Sequence, residues 1–203
     1  NWASMTFDYL DTDSNPNRVR TSVRFGDGSE GFRDSYDFYD GWGRPIETQV
    51  PHPAADQPRK RIVAITGYDE LGQVYASAPA ESNEVPTSVS QSPFVAILNP
   101  ELDDLYSWTQ TTYDAAGRVT RTQDLTREEH VAVGVRSTDT TYTGDTITVT
   151  PPFGAGKAKT TLDAGGQPKY IVYRNAADTA WVDKATYSYT DLGQLAKVTK
   201  TLG

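Results

Sequence analysis

The stretch "YDAAGRVTR", residues 113–121, decides the fold of this chain. Its aspartate, Asp114, can accept backbone N–H bonds as the first residue of a type I turn. Gly117 can then adopt the left-handed conformation that a Cβ atom disfavours. A type I turn followed by a left-handed glycine forms a three-residue hairpin loop with a bulge. The stretch therefore predicts an antiparallel hairpin whose return strand begins at Arg118.

Related stretches recur along the chain, and their first residues lie 29, 45, 49 and 27 positions apart. They are "YDGWGRPIE" at 39–47, "YDELGQVYA" at 68–76, "LDAGGQPKY" at 162–170 and "YTDLGQLAK" at 189–197. This recurrence indicates a building unit with loops inserted between copies, rather than a single site. The residues that carry the signature are Tyr39, Asp40, Gly43, Arg44, Tyr68, Asp69, Gly72, Tyr113, Asp114, Gly117, Arg118, Tyr189 and Gly193.

The composition agrees with a β protein. Of the 203 residues, 36% are hydrophobic and 12 are tyrosines, so tyrosine must supply much of the buried area. Threonine, valine and tyrosine all favour strands. A net charge of -8 argues against general nucleic-acid binding, and the absence of cysteine excludes disulfides and thiolate metal sites. No apolar run is long enough to predict a membrane span.

Alternating residues predict strands outside the turns as well. Val19, Thr21, Val23 and Phe25 alternate with arginines, which is typical of a half-buried strand. Further strands are predicted at 32–39, 62–68, 108–113, 119–124, 146–150, 169–174 and 185–189. Residues 77–93, rich in serine and proline, are predicted to be a mobile loop, and residues 99–108 a short helix. The fold class is all-β: antiparallel hairpin repeats forming a curved, extended sheet, with residues 1–203 as a single segment.

The Tyr-Asp-x-x-Gly-Arg units resemble the YD repeats of the Rhs-repeat family, which includes bacterial Rhs proteins, teneurins and the shell-forming B and C subunits of Tc toxins. The segment at 141–170 is also similar to the linkers between YD units in secreted Rhs proteins. The resemblance covers roughly residues 32–203. Five units are too few to close a shell, and the chain lacks the paired aspartates of the family's self-cleaving core. The shell role therefore belongs to a longer parent protein.

The resemblance implies a structural, non-catalytic function: a segment of a β-shell that encapsulates or presents a C-terminal toxin or effector domain. The implied partners are the remainder of the parent chain and that enclosed domain. The implied location is outside a bacterial cell or on its surface. No cofactor, metal or catalytic residue is expected.

Three patterns in the sequence could supply catalytic or metal-binding groups. Asp103-Asp104 is an acidic pair of the kind that is commonly a solvated face. Glu128-Glu129-His130 offers a base with a neighbour, but His52 and His130 are the two histidines and no Gly-x-Ser-x-Gly elbow occurs. Residues 11–17 space oxygen ligands like a calcium loop, yet Pro16 and Ser22 stand where an EF-hand requires glycine and glutamate. These patterns favour structural roles, and a looser calcium site at 11–17 stays open.

An alternative function is carbohydrate binding or adhesion through exposed aromatic residues. Trp42 lies inside a predicted turn between Gly41 and Gly43, where its ring could stack on a sugar. The competing interpretation, which we favour at the level of sequence, is that Trp42 packs across a neighbouring hairpin. The repeated tyrosines are expected to form a packing ladder between units.

Overall fold

The computed structural model describes residues 5–12, 15–24, 31–51, 60–84, 107–128, 131–153, 155–174 and 179–202. These residues contain strands and turns and no helix, and each strand pairs with its neighbours in chain order. The antiparallel hairpin fold predicted from the turn units is confirmed. The fourteen described strands are β1 Met5–Thr12, β2 Asn15–Arg24, β3 Phe32–Tyr39, β4 Pro45–Pro51, β5 Lys60–Tyr68, β6 Val74–Glu84, β7 Ser107–Tyr113, β8 Val119–Glu128, β9 Val131–Thr143, β10 Thr146–Thr150, β11 Ala158–Leu162, β12 Pro168–Arg174, β13 Trp181–Tyr189 and β14 Leu195–Leu202.

The chain divides into two compact units, one comprising residues 1–109 with 126–132 and the other residues 110–125 with 133–203. In the first unit, a row of buried side chains crosses β3, β4 and β5. Phe38 pairs with Glu47, and Glu47 pairs with Ile65 on the next strand. In the second unit, the buried positions include Leu125, Thr161 and Ala185. Whether residues 1–203 form a single segment stays a prediction.

The buried side of β2 is not the side that carries its apolar residues. The strand exists, but its arginine side continues the buried face, because Arg18 pairs with Phe38 and Arg20 with Tyr36. Ser22 on that side is 8% exposed, whereas Val23 on the other side is 39% exposed. The arginines tolerate this position because the guanidinium of Arg18 lies 5.7 Å from the Tyr36 ring centre, and long arginine side chains bury their stems. Phe25 lies outside the described residues.

Two predictions about connecting segments are partly wrong. Residues 77–84 belong to β6, so the predicted loop at 77–93 is shorter at its start. The strand accommodates Pro79 because the β5–β6 register shifts between the Ile65–Ala78 and Val63–Glu81 pairs, and a bulge is where a strand tolerates a residue without an N–H. Residues 107–108 of the predicted helix begin β7 instead. Residues 85–106 lie outside the described ranges.

Candidate functional site

The repeated turn is built in the same way in four units. At the first, the Gly43 N–H donates to the Asp40 carbonyl and the Asp40 N–H to the Arg44 carbonyl, both at 3.0 Å. Gly43 has a φ of 75°, which is the left-handed conformation that this loop needs. Oδ1 of Asp40 accepts the backbone N–H groups of Trp42 and Arg44, both at 2.9 Å. The turns that begin at Asp69, Asp114 and Asp163 repeat these bonds.

Where arginine follows the glycine, it occupies the second carboxylate oxygen. Arg44 Nε donates to Asp40 Oδ2 at 2.6 Å, and Arg118 Nε donates to Asp114 Oδ2 at 2.8 Å. Burial disfavours the charge on Asp40, but bonds from the backbone and guanidinium of Arg44 and from the Trp42 N–H outweigh it and lower the pKa of Asp40. The Arg118 N–H, followed by its guanidinium, lowers the pKa of Asp114. Both aspartates are therefore held as anions by the turn itself.

The last turn has a weaker cap. Thr190 replaces the aspartate, and its hydroxyl accepts the Gln194 N–H at 3.2 Å. A hydroxyl is a weaker acceptor than a carboxylate. The backbone bonds of the loop are nevertheless the same, with Gly193 donating to the Thr190 carbonyl at 2.8 Å. The loop conformation therefore survives without the aspartate.

A second contact joins successive hairpins, and we call it the tyrosine bridge. In each bridge, a tyrosine at the end of one strand donates its hydroxyl to the carbonyl that follows the arginine or glutamine of the preceding turn. The bridges are Tyr68 to Pro45 at 3.1 Å, Tyr142 to Val119 at 3.1 Å and Tyr189 to Pro168 at 2.8 Å. Each bridge satisfies a tyrosine hydroxyl while its ring covers the neighbouring hairpin.

In the turns that a bridge contacts, the arginine or glutamine also reaches the next hairpin. The guanidinium of Arg44 lies 4.4 Å from the Tyr68 ring centre, and that of Arg118 lies 4.1 Å from the Tyr142 ring centre. These distances are well inside the range of cation–π attraction. Gln167 instead donates through Nε2 to the Gly193 carbonyl of the next turn, at 2.8 Å. Arginine therefore links its own aspartate to the next tyrosine, whereas Gln167 links one turn to the next.

Tyr68 and Tyr189 belong to the repeated sequence unit, whereas Tyr142 does not. The hairpin after Tyr142 has a two-residue Gly144-Asp145 connection between paired Thr143 and Thr146, so the Tyr-Asp-x-x-Gly search does not find it. Spacing was the available signal, because Tyr142 follows Arg118 by 24 residues, as Tyr68 follows Arg44. Of the other predicted ladder residues, Tyr39 and Tyr113 are half-buried at strand ends.

In three units, the residue immediately before the turn glycine is large, apolar and exposed. Trp42 is 86% exposed, so the expectation that it packs across a neighbouring hairpin is wrong. Leu71 and Leu192 occupy the same turn position and are 81% and 85% exposed. The backbone N–H of Trp42 is bound by its aspartate, and that of Leu71 likewise, which fixes both residues at the tip of a turn. The Trp42 ring is thus available to a partner.

A buried polar pair in the first unit was not predicted. Gln49 Nε2 donates to Glu47 Oε1 at 2.6 Å, and the two residues are 0% and 2% exposed. Their partners on β3 are Phe38 for Glu47 and Tyr36 for Gln49, so both residues share the face of these aromatic side chains. Carboxylates are rarely so buried without a partner. No sequence pattern distinguishes Glu47 from an ordinary exposed strand glutamate.

The catalytic and metal candidates receive no structural support. His52, Asp103-Asp104, Glu129-His130 and, within the 11–17 segment, Asp13 and Ser14 lie outside the described residues. Among the residues that the structure does describe, no three histidine or acidic side chains are grouped to hold a metal ion. In the same part of the chain, no helix is long and apolar enough to cross a membrane.

No family model and no curated protein matches the sequence. The fold does match a solved structure, "Crystal Structure of TcdB2-TccC3 without hypervariable C-terminal region", with a TM-score of 0.66. The likeness concerns the fold. The two chains are 15% identical over 92% of this chain, which spans 10% of the length of the other.

This match agrees with the resemblance noted in the turn units, because that family includes the B and C subunits of Tc toxins. A second structure, the periplasmic gluconolactonase PpgL of Pseudomonas aeruginosa, is 11% identical over 91% of this chain and 82% of its own, with a TM-score of 0.15. That score is too low to support any argument about this chain.

Proposed function

We propose that the chain is a non-catalytic structural segment of a larger Rhs-type β-shell, outside a bacterial cell or on its surface. The tyrosine bridges carry this proposal, because the same contact joins a hairpin to the one before it at three places along the chain. A contact that repeats from hairpin to hairpin suits an extended wall, in which each unit is stabilised by its neighbours. The fold of the Tc-toxin structure supports the same reading.

In this role the segment encloses or presents a C-terminal toxin or effector domain of its parent protein. The turn carboxylates of Asp40 and Asp114 support a structural rather than a catalytic part, since both oxygens of each are occupied by groups of their own turn. A general base needs a free oxygen within reach of a substrate proton. These aspartates do not offer one.

The test uses Gly117→Val in the full-length parent protein, with Ala116→Val as the matched control. Gly117 has a φ of 79°, which a β-branched residue cannot adopt without strain. Ala116 is an exposed turn residue of the same hairpin. We expect trypsin to cut the C-terminal domain faster in the Gly117 variant than in the Ala116 variant. Equal cutting in wild type and both variants would contradict the shell proposal.

Carbohydrate binding remains the second proposal, because Trp42 is 86% exposed at the tip of its turn. An exposed ring can stack on the apolar face of a sugar. On a glycan array, Trp42→Ala should abolish the signal while its thermal midpoint stays that of wild type. Leu71→Ala, at the equivalent tip of the next turn, is the control and should keep the signal. If the wild-type protein binds no glycan, this second proposal is wrong.

A further inference from the structure

An open groove lies beside the turn that begins at Asp163. Its lining includes three carboxylates, Asp145, Asp163 and Asp191, together with Gln167, Lys169 and Tyr189. With one lysine against three aspartates, these side chains carry an excess of negative charge. No ion pair joins Lys169 to those carboxylates among the described residues. The groove therefore favours a cationic group.

Two other places in the chain show which cation suits this arrangement. At Asp40 and again at Asp114, a guanidinium sits between the second carboxylate oxygen of the turn and the ring of the next bridging tyrosine. Arg44 lies 2.6 Å from Asp40 Oδ2 and 4.4 Å from the Tyr68 ring centre. Arg118 lies 2.7 Å from Asp114 Oδ2, with the Tyr142 ring beside it. The same arrangement of a turn carboxylate and a tyrosine ring thus binds a guanidinium at two places in the chain.

The third bridge has the same carboxylate and ring but no arginine. Tyr189 holds the position of Tyr68 and Tyr142, because its hydroxyl donates to the equivalent carbonyl, that of Pro168. Asp163 Oδ1 accepts the N–H groups of Gly165 and Gln167, as in the other turns. Oδ2 has no partner among the described residues. Gln167 directs its amide to the Gly193 carbonyl instead.

The electrostatics of Tyr189 agree with this placement. Burial raises the pKa of Tyr189, and the charges of Asp163 and Tyr187 raise it further. Asp163 and Tyr189 both line the groove, which brings the carboxylate and the ring to the same place. An anion beside an aromatic ring is the combination that attracts a planar cation.

We propose that Asp163 and Tyr189 form a binding site for the arginine side chain of a partner peptide. The guanidinium donates to Asp163 Oδ2 and stacks on the Tyr189 ring, as Arg44 does within the chain, while Asp145 and Asp191 add attraction at longer range. Arginine is favoured over lysine because its planar group can bond and stack at once. This site is independent of whether the chain belongs to a shell.

The test is a titration of the whole 203-residue chain with N-acetyl-arginine-N-methylamide, followed by amide chemical shifts. Saturable shifts are expected near Asp163 and Gly193, and none at the turn of Asp114, whose site Arg118 already fills. The lysine analogue should bind more weakly. Asp163→Asn keeps an oxygen for the turn N–H groups but removes the charge, and binding should weaken about two- to five-fold.

Gln167→Arg is the decisive second variant, because it supplies the guanidinium from the chain itself. It should remove the shifts caused by the arginine probe while the turn keeps its fold. Three results would overturn the proposal: no saturable shift in wild type, equal binding of the arginine and lysine probes, or unchanged arginine binding in Gln167→Arg. Since none of these measurements involves the parent protein, they are separate from the test of the shell.

Discussion

Replacing Gly72 with alanine tests whether Arg44 couples one turn to the next. A Cβ at Gly72 would lie 2.8 Å from Nη1 of Arg44, so the guanidinium must move. Gly43 is the matched control, because it has nearly the same backbone, with φ of 75° against 82°, and no atom within 4 Å of an added Cβ. The two substitutions therefore share their backbone strain and differ in the displaced arginine.

The expected magnitudes follow from these contacts. The left-handed conformation destabilises either alanine variant by about 1–2 kcal/mol. Moving Arg44 also weakens its cation–π contact with Tyr68, worth about 0.5–1 kcal/mol at a surface site, and its ion pair with Asp40, worth about 0.2–1 kcal/mol. If both contacts are lost, Gly72→Ala should lower the free energy of unfolding by about 0.7–2 kcal/mol more than Gly43→Ala.

Urea unfolding followed by circular dichroism measures this difference, with Arg44→Gln as a second background. Gln167 shows that a glutamine fits beside such a glycine, since its Nε2 lies 3.6 Å from the Cβ that would be added at Gly193. The excess effect of Gly72→Ala should disappear when residue 44 is glutamine. Equal destabilisation by the two alanines, or an excess that persists in the Arg44→Gln background, would refute the coupling.

Three further predictions concern the bridges, the turns and the core. Tyr142→Phe should reduce the free energy of unfolding by about 0.5–1.5 kcal/mol through loss of one hydrogen bond, whereas Tyr173→Phe, on an exposed residue, should have little effect in the same urea experiment. Because the pKa of Asp114 is lowered on folding, its stabilising contribution should be present above about pH 4 and be lost as the pH falls through the lowered value; Asp114→Asn should flatten that part of a plot of thermal midpoint against pH, and an unchanged slope would contradict the cap. Phe38→Ala should destabilise by about 3–5 kcal/mol, while Phe153→Ala, at a fully exposed ring, should leave the urea midpoint where it is.

The hairpins could be predicted because their signals are local. An aspartate and a glycine three residues apart specify one loop, and the bonds made by Asp40 and Asp114 involve their own turns alone. The same pattern does not include Tyr142, because its hairpin closes with a different, two-residue connection. Its role depends on a neighbouring hairpin, so it is visible in the spacing from Arg118 and not in its own sequence context.

The face of β2 could not be predicted because strand register decides it. Alternation says that Val19, Thr21 and Val23 share a side, but not which side meets the neighbouring strand's aromatic residues. Arg20 lies opposite Tyr36 and pairs with Asp34 at 2.6 Å, which brings the charged side of the strand toward the buried face. Polarity alone therefore assigned the wrong side.

The Asp-x-x-Gly-Arg turn brings an acid and a base together in a way that resembles a catalytic pair. Its geometry argues otherwise, because the Asp40 carboxylate is bound by two backbone N–H groups and a guanidinium, and the guanidinium is stacked on the next tyrosine. When glutamine replaces the arginine, as at Gln167, the fold of the turn is unchanged but one carboxylate oxygen loses its partner. The sixth residue of the unit thus determines whether a turn is closed within the chain or can bind a group from outside. This explains how one structural repeat can carry a binding site at one copy and none at the next.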